Sequence, residues 1–290
     1  MDLSAPTSQD LEEIKQAFWK YAVLVFPDQK LTQEQHVAFA ENFGPMDHSI
    51  IKKAVADQKL RIRGDIADVS NLGADGRVLE ESNRLRRLQL GNRLWHTDSS
   101  FKYVPALASL LYAREIPPIG GQTAFADLRA AYDALSETQK ARLEGLVAEH
   151  SLVYSRERMG YTDWQEGERR AIKAVPQAMV RVVPQTGRKN LYVASHARYI
   201  VGMGDKEARV LIDDMLAHAT QPQFTHMHRW RVGDLVMWDN RCTLHRGLPF
   251  DDLRFRRDMQ RATVSDVANS CEQEGIEVPD VDLRPVMAAE

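Results

Sequence analysis

The stretch from residue 94 to residue 101, Leu-Trp-His-Thr-Asp-Ser-Ser-Phe, places the strongest constraint on what this chain can fold into. Apolar and aromatic residues surround His96 and Asp98, which is typical of a strand, and side chains two positions apart on a strand point to the same face. An imidazole and a carboxylate on one face can bind a single metal ion. Any third protein ligand must come from a distant stretch, so the fold must bring two separate segments together.

His245 is the best candidate for the third ligand, because it follows the apolar residues 235 to 238 and precedes a basic segment. Two histidines and one carboxylate that leave open coordination positions are typical of non-haem iron(II) oxygenases. His226 and His228, which would also share a strand face, are the rival pair and would suit zinc. In a chain with nine histidines the His-x-Asp tripeptide alone indicates no function, so the interpretation depends on the neighbouring motifs.

The bulk composition excludes several classes of protein. Of the 290 residues, 43% are hydrophobic and 27% are charged, as in an ordinary globular protein. The net charge of -3 gives no reason to expect nucleic acid or an anionic membrane as a partner, and no run approaches the ~18 apolar residues that a membrane helix needs. Two cysteines are too few for a disulfide framework, and the N-terminus has no secretory signal pattern. We therefore expect a cytoplasmic protein that acts on a small molecule.

The order of helical and extended patterns predicts a fold that is mainly β with helical additions. Residues 8 to 21 repeat at the helical period, and Thr32 with Gln35 forms a capping box that opens a second helix. Many short strands follow, which favours a double-stranded β-helix, or jelly-roll, core of cupin type. We expect one domain over residues 1 to 265 and an acidic tail over residues 266 to 290.

Two stretches show no clear period and are predicted to be rich in loops. They are residues 48 to 92, next to the metal motif, and residues 155 to 178. A long stretch without its own secondary structure in a compact domain is usually a lid or a binding loop. We therefore expect residues 52 to 90 and 155 to 178 to shape the hydrophobic part of the substrate pocket.

A cluster of arginines follows the proposed third ligand. Arg254, Arg256, Arg257 and Arg261 lie close together in a section that is otherwise typical of a strand. Arg257 and Arg261 are four apart and would share a face, and arginine is the side chain that pairs with carboxylates through two parallel hydrogen bonds. The alternative is a solvated, charged edge strand. Beside a metal site, the cluster would instead bind an anionic cosubstrate.

Four segments of the sequence resemble the taurine/2,4-dichlorophenoxyacetate dioxygenase family, and they follow one another in that family's order. They are residues 95 to 101, 117 to 123, 233 to 247 and 257 to 263. The phenoxyacetate branch is the most similar, through residues 67 to 71, 127 to 135 and 226 to 230. The resemblance extends over about residues 20 to 265, which makes it far more specific than any single motif.

The resemblance implies an enzyme, an Fe(II)- and 2-oxoglutarate-dependent dioxygenase with a jelly-roll core that also consumes O2. His96, Asp98 and His245 fall on the family's three iron ligands. Thr123 and Arg257 fall on the residues that hold the distal carboxylate of 2-oxoglutarate. The iron and its cosubstrate would supply the oxidising chemistry, whereas the protein would contribute positioning and the exclusion of water.

Arg261 falls where taurine-type members hold the anionic group of the substrate, and Asn92 is expected to contact the substrate as well. The branch implies an aryloxyalkanoate substrate, which hydroxylation would cleave to a phenol and glyoxylate with release of succinate and CO2. A taurine or alkylsulfonate substrate is the alternative within the family. Outside the family, a zinc hydrolase with the same ligands or a metal-free jelly-roll binding module would also suit the histidines and arginines. We expect a homo-oligomer.

Overall fold

The computed structural model describes residues 1 to 47 and 61 to 278. Within these residues the chain forms thirteen strands, which are β1 (Val23–Phe26), β2 (Ala67–Asp68), β3 (Ala106–Glu115), β4 (Thr123–Asp127), β5 (Val147–His150), β6 (Val175–Ala178), β7 (Val180–Val183), β8 (Arg188–Leu191), β9 (Ala197–Ile200), β10 (Thr225–His228), β11 (Leu235–Asp239), β12 (Thr243–Gly247) and β13 (Asp258–Ser265). The α-helices within the same ranges are Ser8–Tyr21, Gln33–Glu41, Arg84–Gln89, Leu128–Asp133, Glu137–Leu143, Leu152–Glu157, Glu166–Ala171, Asp205–Ala219 and Ser270–Gln273, and 3-10 helices span Leu90–Arg93 and Pro222–Phe224. No helix among them combines the length and the apolar character that crossing a membrane requires.

The two N-terminal helices form where the sequence predicts them. Thr7 and Thr32 each cap a helix by accepting a hydrogen bond from the backbone N–H three residues later, and the side chain at that later position bonds back. In the first helix Ile14 and Phe18 are buried, so the apolar stripe packs against the core. The helix ends at Ala22, whose left-handed backbone (φ 61°) turns the chain into β1.

Within the described residues the strands form four antiparallel sheets, and two of these sheets pack face to face. The larger sheet has the order β1-β11-β3-β13-β2, and the smaller has the order β10-β4-β12. Leu111 of β3 and Trp238 of β11 belong to one buried cluster with Phe125 of β4, which joins the sheets. Leu110, the neighbour of Leu111, belongs instead to the cluster that contains Phe18 of the first helix. The chain is therefore mainly β with helical additions, as predicted.

The stretch 48 to 92 is described only from residue 61 onward. This part contains the short strand β2 and the helix Arg84–Gln89, and the rest is largely turn and loop, as the sequence predicts. Asn83 caps this helix, because its side chain accepts hydrogen bonds from the backbone N–H groups of Leu85 and Arg86. The helix and the 3-10 helix after it lead directly to the metal motif.

The stretch 155 to 178 has more secondary structure than its sequence indicates. The helices Leu152–Glu157 and Glu166–Ala171 and the strand β6 cover more than half of it. Leu152 and Ile172 belong to one buried apolar cluster in this region. The prediction of a structureless loop is wrong here, because helices this short are stabilised by tertiary packing and leave no readable period in the sequence.

The last strand, β13, ends at Ser265, the last residue of the predicted domain. The next residues nevertheless pack onto the domain, since Asp266 forms an ion pair with Arg181 at 2.7 Å and each side chain is only 1% exposed. Cys271 is also buried. The predicted tail therefore begins with a packed segment, and residues 279 to 290 lie outside the described part of the chain.

Candidate active site

His96 and His245 lie opposite each other on neighbouring backbone segments. The N–H of His96 donates to the carbonyl oxygen of His245 at 3.0 Å, and the reverse hydrogen bond measures 2.8 Å. This antiparallel pairing brings the two rings to a centroid distance of 4.1 Å. Both side chains are buried. The fold therefore places two imidazoles side by side, although they are far apart in the sequence.

Asp98 completes a group of three potential metal ligands. Its Oδ1 lies 3.9 Å from Nε2 of His96, and its Oδ2 lies 3.6 Å from Nε2 of His245. Among the residues that the structure describes, this is the one group of three or more His, Cys, Asp or Glu side chains that could hold a metal ion, with ligand atoms within 4.8 Å of one another. The rival pair, His226 and His228, does not join it.

The backbone around Asp98 is not the strand that its sequence indicates. Only His96 makes a strand-like pairing, and the chain turns directly after Asp98. Ser99 has a left-handed backbone (φ 55°), which is uncommon for a residue with a side chain. Its Oγ donates to Oδ2 of Asp47 at 2.6 Å. This contact with a distant residue stabilises the turn and overrides the local strand pattern.

The protonation states of the three side chains suit a divalent metal. Nδ1 of His96 bonds to the carbonyl oxygen of Leu94 at 2.8 Å, which leaves Nε2 available as a ligand. Burial lowers the pKa of His96 to about 4 and the pKa of His245 well below its ordinary value, so both imidazoles are neutral at pH 7. Burial alone would raise the pKa of Asp98, but Arg261 and the two imidazoles hold it at about 2. Two neutral imidazoles and one carboxylate fit an iron(II) ion.

A second layer of polar side chains, which sequence reasoning missed, orients the carboxylate. Oγ of Ser109 donates to Oδ2 of Asp98 at 2.7 Å, and Nδ2 of Asn240 donates to that same Oγ at 2.9 Å. Oδ1 of Asn240 accepts hydrogen bonds from the N–H of Asp98 and from Nε1 of Trp238. The only sequence signal for Ser109 is its polarity among the apolar residues 106 to 113 of strand β3. Such partners fix the orientation of a metal ligand.

A cavity of about 110 Å³ opens beside the two imidazoles. Its lining includes the four residues predicted to bind the cosubstrate and the substrate, which are Thr123, Arg257, Arg261 and Asn92. The described part of the stretch 48 to 92 contributes several further lining residues, as expected. No described side chain from residues 155 to 178 lines the cavity, so that part of the expectation is wrong. The apolar lining residues are Val69, Leu90, Leu111, Trp238, Leu248 and Phe250.

Arg257 is a buried cation with no acidic partner among the described residues. Its Nε donates to the carbonyl oxygen of Gly121 at 3.3 Å, and only 8% of the residue is exposed. Burial lowers its pKa to about 10, so the guanidinium is still charged at pH 7. Oγ1 of Thr123 accepts a hydrogen bond from Nε1 of Trp230 at 3.0 Å, which leaves its own proton free to donate. This part of the cavity is therefore complementary to a carboxylate.

Arg261 is in a different situation, because it already has an acidic partner. Its Nη1 donates to Oδ1 of Asp98 at 2.5 Å, and its Nε donates to Oγ1 of Thr263 at 3.2 Å. The side chain is 20% exposed. Arg261 therefore contacts a potential metal ligand directly while it also lines the cavity.

Two further arginines make the cavity electropositive. Arg86 and Arg93 both line it and share the carboxylate of Asp252, at 3.0 Å and 3.4 Å. Together with Arg257 and Arg261, four guanidinium groups face this one acidic lining residue. Even with Asp98 counted, the cavity has an excess of positive charge that favours anionic ligands.

Two histidines and one carboxylate that could hold a metal ion, beside a buried cation without an acidic partner among the described residues, define the class of non-haem iron(II) oxygenases. A comparison with protein families supports this conclusion and makes it more specific. Residues 1 to 263 match the family described as "Taurine catabolism dioxygenase TauD, TfdA family". The chain belongs to this family.

Individual relatives are similar over nearly the whole chain. The alpha-ketoglutarate-dependent 2,4-dichlorophenoxyacetate dioxygenase of Cupriavidus pinatubonensis is 44% identical over 261 residues, which cover 90% of each protein. The (S)-phenoxypropionate/alpha-ketoglutarate-dioxygenase of Sphingobium herbicidovorans is 40% identical over 82% of this chain and 80% of that protein. The crystal structure of AAD-2 in complex with Mn(II) and N-oxalylglycine has a TM-score of 0.89 and 46% identity, and covers 93% of each chain.

The family and the site together establish the reaction class. The chain is an oxidoreductase, a 2-oxoglutarate-dependent dioxygenase that uses Fe(II), 2-oxoglutarate and O2. A zinc hydrolase and a metal-free binding module, the two alternatives outside the family, are thereby set aside.

Proposed function

We propose that this dioxygenase hydroxylates an aryloxyalkanoate at the carbon next to the ether oxygen. For an aryloxyacetate, the product collapses to a phenol and glyoxylate, with release of succinate and CO2. The observation that carries this proposal is a cavity with an apolar wall and more guanidinium groups than 2-oxoglutarate alone requires. The names of the Cupriavidus and Sphingobium relatives, which act on 2,4-dichlorophenoxyacetate and (S)-phenoxypropionate, support the same substrate class.

His96, Asp98 and His245 bind the iron in this proposal. When bound, iron and 2-oxoglutarate supply the oxidising chemistry, and the cosubstrate is decarboxylated to succinate. The chain's own contribution is geometry: the backbone pairing fixes the two imidazoles, and Ser109 and Asn240 hold the carboxylate. The ligands are thus preorganised before the metal and the substrates arrive.

Arg257 and Thr123 bind the distal carboxylate of 2-oxoglutarate. A buried guanidinium without an acid is poorly solvated, so an incoming carboxylate replaces the hydrogen bonds that burial has removed. The free hydroxyl proton of Thr123 adds one donor to the same anion. Loss of one partner from such a buried charge pair typically costs about 2 to 5 kcal/mol.

Arg261 and Asn92 face the anionic group of the substrate. Nη2 of Arg261 makes no hydrogen bond within the described residues, so the guanidinium can hold Asp98 through Nη1 and a substrate carboxylate through its other nitrogen. Leu111, Trp238 and Phe250 offer an apolar surface to the aromatic ring. A charged end and an apolar end together orient the substrate so that the carbon between them faces the metal centre.

The proposal extends to the architecture and the setting of the enzyme. The two face-to-face sheets support a double-stranded β-helix (jelly-roll) core of cupin type, in a single domain over residues 1 to 265. Assembly as a homo-oligomer and a cytoplasmic location complete the proposal. Light scattering of the purified chain measures the oligomeric state, and fractionation of the source cells measures the location.

A substrate panel tests the proposed function. The iron-loaded enzyme receives 2-oxoglutarate and O2 with 2,4-dichlorophenoxyacetate, 2-(2,4-dichlorophenoxy)propionate enantiomers, taurine or hexanesulfonate, and succinate and the cleavage product are measured together. We expect one phenol per succinate with at least one aryloxyalkanoate and no sulfite from the sulfonates. Sulfite release coupled to succinate, without phenol from any aryloxyalkanoate, would assign the chain to the sulfonate alternative.

A further inference from the structure

Arg156 is a second buried arginine without an acidic partner among the described residues, and neither the sequence motifs nor the proposed reaction uses it. It lies in the helix Leu152–Glu157, and only 8% of it is exposed. Its Nη2 donates to Oδ1 of Asn92 at 3.1 Å, its Nη1 lies 3.5 Å from Oγ of Ser155, and its Nε has no partner within the described residues. The residue does not line the cavity, but Asn92 does.

The hydrogen bond from Arg156 determines which way the amide of Asn92 faces. A guanidinium group carries donors only, so the amide atom turned toward it must be the oxygen. The NH2 group then faces away from Arg156, and it makes no hydrogen bond to any described residue. Because Asn92 lines the cavity, this orientation offers the cavity a donor and withdraws the acceptor from it.

The packing around Arg156 is tight on the side of the cavity wall. Gly91, which precedes Asn92 in the 3-10 helix, lies so close that an added methyl group would overlap with Cδ, Nε and Nη1 of the arginine. The absence of a side chain at Gly91 therefore leaves room for the Arg156 side chain close to the backbone. The position of the guanidinium that bonds to Asn92 therefore depends on a glycine at position 91.

We infer that Arg156 is a positioning residue that locks the amide of Asn92 with its NH2 group toward the oxygen atoms of the substrate. The inference rests on the proposed function, since it takes the ligand at Asn92 to be a carboxylate or ether oxygen, which accepts hydrogen bonds. An amide free to rotate would present its oxygen to that anion for part of the time, and two acceptors repel each other. The lock thus selects ligands that carry an acceptor at this place.

A double-mutant cycle tests the inference. The dissociation constant of 2,4-dichlorophenoxyacetate is measured by calorimetry on the full chain loaded with Mn(II) and N-oxalylglycine, which binds without turnover. We expect Arg156→Met and Asn92→Ala each to weaken binding by about fivefold, as for the loss of one hydrogen bond. The double variant should be no weaker than either single variant, because Arg156 acts through Asn92. If the fold-loss of affinity in the double variant equals the product of the two single losses, the inference is overturned.

Two further variants keep the test decisive if Arg156→Met does not fold. Gly91→Ala displaces the guanidinium without changing the side chain of Arg156 or of Asn92. It should lower the affinity for the probe as much as Arg156→Met does. Gly167→Ala is the matched control, because among the described residues no atom beyond its own helix backbone lies within 4 Å of the added methyl group. This variant should bind the probe like the wild type. Equal probe affinity for Gly91→Ala and the wild type would contradict the inference.

Asn92→Asp distinguishes a role in orienting the amide donor from a role in stabilising the fold. It keeps an acceptor for Arg156, so we expect an undiminished melting temperature, but it replaces the donor by a negative charge. Probe binding should fall below that of Asn92→Ala, whereas the affinity for N-oxalylglycine should stay within about twofold of the wild type. If Asn92→Asp binds the probe as tightly as the wild type, the inference about Arg156 is overturned and the proposed function stands. If the wild type itself does not bind the probe, the proposed function is overturned and the inference with it.

Discussion

Arg257 and Arg261 lie four residues apart and line the same cavity, yet the structure surrounds them very differently. Arg257 is 8% exposed and has no acid nearby among the described residues, whereas Arg261 is more exposed and holds Asp98 at 2.5 Å. A buried cation without an acid is a site for a ligand, while a cation on a metal ligand also shapes the metal centre. The comparison teaches that lining the same cavity does not determine what a side chain binds.

Asp98→Ala removes the acidic partner that distinguishes Arg261 from Arg257, and we expect the largest effect from this variant. The variant loses the only carboxylate of the metal group and leaves Arg261 without its partner. Consumption of 2-oxoglutarate should fall to the level without iron, and bound iron should be lost. Asp251→Ala, which removes an exposed carboxylate after β12, should behave like the wild type. Normal 2-oxoglutarate consumption by Asp98→Ala would show that the metal ligands lie elsewhere.

Ser109→Ala tests how much the orientation of the Asp98 carboxylate depends on a partner other than Arg261. It removes the hydrogen bond to Oδ2 of Asp98 and leaves Arg261 on Oδ1. We expect metal affinity to fall by about ten- to a hundredfold, as for other partners of metal ligands. Competition with a chelator measures this change. Ser195→Ala is the matched control, because that buried hydroxyl has no partner within the described residues and its loss should leave metal affinity unchanged.

Arg257→Gln tests the other side of the comparison. Glutamine can still donate a hydrogen bond but cannot form the charged pair with a carboxylate. We expect the KM for 2-oxoglutarate to rise by at least roughly tenfold, since ~1.4 kcal/mol is enough for that factor. The control is Arg256→Gln, whose side chain is 47% exposed and pairs with Glu115. A KM that rises in the control but not in Arg257→Gln would exchange the roles of the two arginines.

Arg261→Ala should have the smallest effect of the four, and it separates two roles. If Arg261 holds the substrate anion, the KM for the aryloxyalkanoate rises by about fivefold, that for 2-oxoglutarate changes less, and less phenol forms per succinate. Because Arg261 contributes to the low pKa of Asp98, the variant should also lose metal at a higher pH than the wild type. Arg254→Ala, an exposed arginine, should change none of these values. Lower thermal stability with unchanged KM values and coupling would make Arg261 purely structural.

The sequence predicts those features that local motifs express. The pair His96 and Asp98 is apparent from residue type and spacing, and the capping boxes at Thr7 and Thr32 predict both N-terminal helices. In these cases a few neighbouring residues contain the signal, whereas His245 becomes the best candidate only through the motifs around it. The class of the fold follows in the same way, because alternating apolar segments and turn residues mark strands one by one.

The supporting residues could not be predicted, because their roles exist only in the folded chain. Ser109 and Asn240 are 131 residues apart when they meet beside Asp98, and Arg156 and Asn92 are 64 residues apart. The turn at Ser99 likewise depends on Asp47. No local pattern shows which of the chain's many serines, asparagines and arginines will form such pairs.

The backbone pairing between His96 and His245 also determines how this protein can change over evolutionary time. Because strand side chains alternate between faces, one inserted or deleted residue within β12 would turn His245 away from the metal. The turn around Gly76 is open, since no atom of the described residues beyond the chain neighbours lies within 4 Å of the position a side chain would take. Length changes there leave the pairing intact. Insertions there change a stretch that lines the cavity and can therefore change the substrate, whereas the paired segments that hold His96 and His245 permit substitutions but no change of length.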